Sequence, residues 1–309
     1  MAKARAIVKR RKAVRNIKKI TKTMQMIATA KFQKSLKRAV GTKPYTNKVR
    51  ELVRELAASL GGSIDHPLLR QANDDTRTHR IALVVLTSNR GLAGAYNGSV
   101  LRTATAFIRR QEAAGKTIDL YVAGKKAVTF FNFQKRAIAQ RLEAQDTPRF
   151  ADVERIGQSL MDEFTGGKYD SVHVAYMNFL SAGVQKPDVM TLLPLAGIDQ
   201  ATKPQPTPGQ QQPQQQSQGY SVETLYDFSP DPKTLLDELL PLTIKAAFFQ
   251  AFLDATTSEH VARMVAMKSA TDNADKMQKA LTMQYNRARQ SQITTELSEI
   301  MGGVEAMKG

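Results

Sequence analysis

The sequence predicts a mixed α+β and α/β architecture. A long antiparallel coiled coil of the N- and C-terminal helices would carry a separate α/β domain between them. Three observations predict it. Glycine and proline are absent from Met1 to Val40 and again from Leu242 to Met301, whereas ordinary helices average about 11–12 residues. Both runs carry heptad-like spacing. The stretch between them alternates short apolar segments with amphipathic ones, the pattern of strands and helices in a partly parallel sheet.

In the first arm, Val14, Ile17, Ile20, Met24 and Ile27 follow steps of three and four. In the last arm, Met267, Ala270, Ala274, Met277 and Leu281 do the same, and Ala288 lies one heptad further on. Such spacing marks a coiled-coil seam. Met and Ala make it softer than a Leu and Ile zipper. Two separate amphipathic helices on a globular core are the alternative, and the 60 residues without a breaker speak against it. Unbroken, that run would span roughly 90 Å at about 1.5 Å per residue.

Between the arms, residues 80–86 read as a buried strand, 98–114 as a helix ending at Gly115, and Thr117–Val122 as a second strand. Asp152–Phe164 reads as a helix closed by Gly166-Gly167, and Ser171–Phe179 and Val184–Leu193 as two further strands. Lys203–Gly219 holds eight Gln and four Pro, a low-complexity loop or linker. The expected divisions are an N-terminal arm at 1–70, an α/β domain at 75–228 and a C-terminal helix at 230–309.

Composition narrows the function. The 309 residues include no cysteine, which excludes disulfides, thiol nucleophiles and thiolate metal sites. No run approaches the roughly 18 apolar residues of a membrane span. The basic N-terminus has no apolar stretch behind it, so it is expected to be structure and not a secretory signal. The net charge of +17 sits entirely in residues 1–54, which hold 18 Lys and Arg and one acid, Glu51. A basic arm on a neutral body seeks nucleic acid, anionic lipid or an acidic protein surface. The first 44 residues contain one aromatic, Phe32, which argues against stacking on nucleic acid.

Candidate chemistry is sparse. Thr87–Asn97 follows a strand and precedes a helix, where phosphate loops sit. Its glycines at 91 and 94, with Gly98 beyond, do not make a dinucleotide fingerprint, and no Gly-Lys-Ser/Thr ending is present. Gly124-Lys125-Lys126 fails for the same reason. His66, His79, His173 and His260 lack metal-ligand spacing. No catalytic residue, metal or cofactor is expected. Near the C-terminus, Arg287, Arg289, Gln290, Thr294, Glu296 and Glu299 form either a solvated face with weak ion pairs or a polar surface that meets a partner.

Four blocks then carry a resemblance. They are Asn16–Ala28, Thr87–Asn97, Ser258–Ala274 and Tyr285–Gln290 followed by Ile293–Glu299. In this order they resemble the gamma subunits of F-type rotary ATP synthases. The resemblance implies an antiparallel coiled coil inside a ring of alpha and beta subunits. It also implies a Rossmann-like foot domain that contacts the epsilon subunit and the membrane c-ring. The chain would be non-catalytic and would carry torque between proton flow and ATP chemistry on the ring. Its place would be the cytoplasmic face of a bacterial inner membrane, with a processed organellar chain as the alternative.

By position, the resemblance implies that Met24 is a coupling contact, and that Gln290, Thr294, Glu296 and Glu299 interact with it or with the ring. Arg287 and Arg289 are basic positions of the same stretch. Lys9, Arg10 and Lys12 are placed on the ring-facing surface. Ser88, Arg90, Gly91 and Gly94 belong to the foot-domain loop. The sequence departs from the family pattern at Asn89, Ala93 and Val304, and its Gln/Pro-rich stretch resembles an insertion. A nucleic-acid-binding coiled coil is the competing function.

Overall fold

The computed structural model describes residues 2–59, 66–69, 78–143, 146–195 and 231–307. The Gln/Pro-rich stretch lies outside them. Two very long helices frame the molecule, α1 (Ala2–Ser59) and α5 (Pro232–Ala306). Between them come β1 (Arg80–Leu86), α2 (Tyr96–Ala113), β2 (Thr117–Ala123), α3 (Lys125–Phe133), β3 (Gln140–Leu142), α4 (Phe150–Thr165), β4 (Ser171–Phe179) and β5 (Gln185–Leu193). Sequence reasoning missed α3 and β3. Their short lengths and the Gly124-Lys125-Lys126 opening hide them.

Both long helices run through residues expected to stop them. Gly41 and Pro44 lie inside α1 on exposed positions, so the carbonyl that Pro44 frees faces water. Pro241 lies near the start of α5, and Gly302 and Gly303 lie within its last turns. Asp231 caps α5: its carboxylate accepts from the Thr234 backbone N–H at 3.2 Å and from the Thr234 hydroxyl at 2.7 Å, with Pro232 next in the chain. At about 1.5 Å per residue, the 75 residues of α5 reach roughly 110 Å.

The coiled coil forms, but on a different seam in α1. Ile17, Ile20 and Ile27 are more than half exposed. The buried and half-buried positions instead follow an unbroken alternation of four and three from Ile7 through Arg11, Val14, Lys18, Thr21, Gln25, Ala28 and Phe32 to Leu56. Many of these are polar, which is why an apolar pattern search passes over them. In α5, Met267, Ala274, Leu281 and Ala288 keep their expected places, whereas Thr271 and Gln278 replace Ala270 and Met277. The register is fixed by chemistry. Thr271 donates to Thr21 at 2.8 Å, Lys18 pairs with Asp275, and the Arg11 guanidinium lies 5.0 Å from the Tyr285 ring centroid.

The sheet order is β3-β2-β1-β4-β5, with β1 to β4 parallel and β5 antiparallel at one edge. Central β1 is buried on both faces, as its continuous apolar run requires. One face (Ile81, Leu83, Val85) packs against α2 and α3. The other (Ala82, Val84, Leu86) packs with Val153, Leu160 and Phe164 of α4 and with Leu240, Ile244 and Phe248 of α5. The base of the shaft is therefore a core element of the α/β domain.

Gly124, between β2 and α3, has φ +95°, and a Cβ there would lie 2.2 Å from the Thr87 carbonyl oxygen. Gly124→Ala is expected to destabilise the α/β domain by about 3 kcal/mol or more. A thermal melt followed by circular dichroism checks it; an unchanged melting temperature contradicts the close approach.

Candidate functional site

The crevice outside the carboxyl ends of the parallel strands, beside β1, is where α/β sheets of this kind hold ligands. Here it is filled by protein. Thr87 follows β1, and its hydroxyl donates to the Ala123 carbonyl at 3.0 Å and accepts from the Ala127 N–H at 3.1 Å. Buried Ser88 donates to the Arg90 carbonyl at 2.6 Å, and its N–H is held by the Asn97 side-chain oxygen at 3.0 Å. The Asn89 side chain accepts from the Lys125 N–H at 3.1 Å. The loop thus ties the starts of α2 and α3 together, using the donors a phosphate would need.

From the other side α5 closes the crevice. Arg263 reaches the carbonyls of Arg90 and Gly91 at 3.4 Å and pairs with Glu259 one turn earlier at 2.7 Å. Gly94, at φ +54°, sits against Ala262 and Ala266. Burial pushes the Glu259 carboxyl up, and the adjacent Arg263 opposes that. The cavity left beside Thr87, Tyr96 and Glu259 has about 30 Å³, room for a water or two. Among the described residues no His, Asp and Glu cluster could hold a metal.

A second buried polar group joins α1 to α5 where both leave the domain. Asp254 accepts from Gln250 at 2.9 Å, Gln250 also reaches the Ala39 carbonyl at 3.4 Å, and Lys43 donates to the Phe179 carbonyl at 3.2 Å. Burial pushes Asp254 up to about 6, while Lys43 and the Gln250 hydrogen bond pull the other way.

The remaining sequence-derived residues lie on the shaft. Lys9, Arg10 and Lys12 are exposed near the start of α1, and Met24 is half-buried. Arg287, Arg289, Gln290, Thr294, Glu296 and Glu299 are exposed on the last turns of α5, where Thr294 bonds back to the Gln290 carbonyl and Gln292 donates to Glu296. Met24 does not meet the C-terminal group. Because Thr21 faces Thr271, Met24 lies level with the region near Lys268, roughly 30 Å along the axis from Gln290. The resemblance implied that these residues interact with Met24 or with the ring, and this antiparallel register keeps them from Met24 within one chain.

Sequence reasoning missed Arg263 and Glu259 as the clamp on the loop. An ion pair one turn apart on a helix otherwise rich in Ala and Met was the available signal. It missed Thr21, Lys18 and Asp275 because polar seam positions escape a hydrophobic pattern.

Together, a two-helix shaft, a foot domain grown around its base and a crevice filled by that base define a mechanical interaction protein. Residues 3–307 match the family model described as ATP synthase. The ATP synthase gamma chain of Rhodopirellula baltica is 41% identical over the full length of both chains. That of Leptospira biflexa is 38% identical, covering 99% of this chain and 100% of its own. The chain belongs to the ATP synthase gamma chain family. In solved structures, the fold matches a chain of the Euglena gracilis mitochondrial ATP synthase at 17% identity and TM-score 0.64, covering 99% of this chain and 95% of that one. It also matches one from the Tetrahymena thermophila central stalk and c-ring at 18% identity and TM-score 0.55, covering 81% and 99%. Nothing in these comparisons supports the nucleic-acid reading.

Asp254 sets a pH prediction. Its folded value lies above the ordinary 3.8, so between about pH 4 and 6 the folded state binds more protons than the unfolded one. Its contribution therefore improves as pH falls through about 6 and worsens as pH rises, by about 2–3 kcal/mol in all. Asp254→Asn is expected to be more stable than the parent at pH 8 and equal to it below about pH 4. Urea unfolding of both proteins at the two pH values checks this; a variant less stable at pH 8 refutes it.

Proposed function

We propose that this chain is the central shaft of a rotary ATP synthase, turning inside a ring of alpha and beta subunits and standing with the epsilon subunit on the membrane c-ring. The chain itself is non-catalytic. The observation that carries the reading is an apolar face left uncovered at the end of α5, from about Ile293 to Ala306, past its described pairing with α1. Along that extension Ile293, Leu297, Ile300, Met301 and Val304 form one apolar face, each at least 43% exposed. A lone helix of about 15 residues is marginal in water, and a stripe of this kind needs a surface around it. A hollow ring supplies that surface.

The outside of α1 fits the same role. Ile17, Ile20 and Ile27 form an exposed apolar line among exposed lysines and arginines, with Met24 beside it. Many shallow contacts with acidic loops allow turning where deep aromatic anchors would lock it. Rotation then changes which conformation each catalytic subunit prefers, and nucleotide binding biases the angle in return.

On this reading Met24, Lys9, Arg10 and Lys12 touch the ring from α1, and Arg287, Arg289, Gln290, Thr294, Glu296 and Glu299 touch it from α5. Ser88, Arg90, Gly91 and Gly94 keep the foot domain on the shaft. The divisions at 1–70, 75–228 and 230–309 follow these roles. No described helix is long and apolar enough to cross a membrane, and the chain is a peripheral part of a membrane-bound complex. We place it on the cytoplasmic face of a bacterial inner membrane.

The test is coupled turnover in the reconstituted complex. Gln290→Leu with Glu296→Lys is expected to lower ATP-driven proton pumping by about fivefold or more, while subunit recovery stays unchanged. Normal pumping in the double variant counts against these contacts, and failure of the parent chain to co-purify with ring subunits counts against the shaft itself.

A further inference from the structure

The short segment that enters α4, residues 146–149, is tied to both helices of the shaft through one residue. The Asp146 carboxylate pairs with Lys31 of α1, and the Asp146 backbone accepts from the imidazole of His260 on α5. Past the segment, α4 is held by apolar packing, with Val153 and Leu160 in the core shared with α5. The ties at Asp146 are polar and run between titratable groups, so protons can undo them.

His260 is 2% exposed, and its Nδ1 nitrogen is buried with no hydrogen-bond partner among the described residues. The ring fits this place only when neutral: one nitrogen donates to Asp146 and the other carries a bare lone pair. A second proton would set an unpaired N–H donor in a closed space, where the unmade bond is costly. It would also add a charge where cations prevail. Lys31 faces the ring from α1 and Arg263 from three residues further along α5, while Lys34 and Arg38 lie beside the same crossing. The carboxylates within reach are engaged, Asp146 by Lys31 with Arg90 also near it, and Glu259 by Arg263. Burial, then Arg263 and Lys31, push His260 down to about 4, and Asp146 opposes them.

We propose that His260 and Asp146 form an acid-released latch: proton uptake by His260 frees residues 146–149 from the two shaft helices while α4 keeps its place in the core. Closed, the ring stays neutral down to about pH 4. Released into water, it takes its proton near the ordinary value of about 6.5. The released state binds more protons between those values, so the latch is firmest above about pH 6.5 and weakens as pH falls. The ratio of open to closed rises by about tenfold per pH unit, roughly a hundredfold from pH 6.5 to 4.5. The latch concerns the chain alone, so it stands or falls separately from the shaft reading.

The chain contains no cysteine, so nitroxide labels at Thr147→Cys in the segment and Lys22→Cys on α1, both exposed positions, report the distance across the latch. Pulsed electron double resonance on the full-length protein is expected to give one distance at pH 7.5 and a second, longer one that grows toward pH 4.5. His260→Gln keeps an amide donor toward Asp146 but takes up no proton, and is expected to hold the single distance throughout. His173→Gln replaces another imidazole held neutral by burial, stacked on Phe107 at the α2 side of the sheet, and is expected to open as the parent does. Histidine ring NMR of the parent is expected to place proton uptake by His260 in the same pH range as the new distance. An unchanged distance in the parent overturns the proposal. So does equal opening in His260→Gln, or a His260 ring that titrates in a different range from the distance.

Discussion

The register between α1 and α5 is the constraint on which the molecule depends. A purely apolar seam would let two long helices slide by a heptad at small cost, since every heptad looks alike. Here the seam is marked at individual positions. Thr21 must find Thr271, Lys18 must find Asp275, and Arg11 must find Tyr285. A slip would break the buried hydrogen bond between Thr21 and Thr271 and part the half-exposed pair of Lys18 and Asp275. The place where the foot attaches follows from that register.

The foot domain is held by the same helix. Leu240, Ile244 and Phe248 of α5 complete one of its two cores, and Arg263, less than five turns later, clamps the loop after β1. Foot and shaft therefore share backbone. A force on the foot passes through a continuous helix and does not depend on an interface of exposed side chains. The crevice that similar sheets use for nucleotides is given up to this joint, which explains why its loop keeps strand-end geometry without a phosphate fingerprint.

Much of this was legible in the sequence. The absence of breakers announced both helices, and the apolar runs located four of the five strands closely. The C-terminal half of the seam was correct at every seventh residue because Met267, Ala274 and Leu281 are apolar there. The N-terminal half was misread because Ile17, Ile20 and Ile27 mimic a seam while facing outward. Hydrophobicity alone cannot separate a face that packs within the chain from one reserved for another molecule. The 3-residue β3 and 9-residue α3 carry too little pattern to register. Met24 and Gln290 lie near opposite chain ends, and the pairing of α1 with α5 shows how far apart they stand.

The unbroken four-three alternation from Ile7 to Leu56 has a mechanical consequence. A repeat of 3.5 residues on helices that prefer 3.6 winds the pair into a left-handed supercoil. With a pitch of about 150 Å, the coiled length of α1 makes roughly half a turn. Its outer face therefore changes compass direction with height, so a surface beside it meets different residues at different levels. The winding is also chiral under load. Twist applied in one sense tightens the coil and in the other slackens it, giving the rod unequal stiffness in its two directions of rotation.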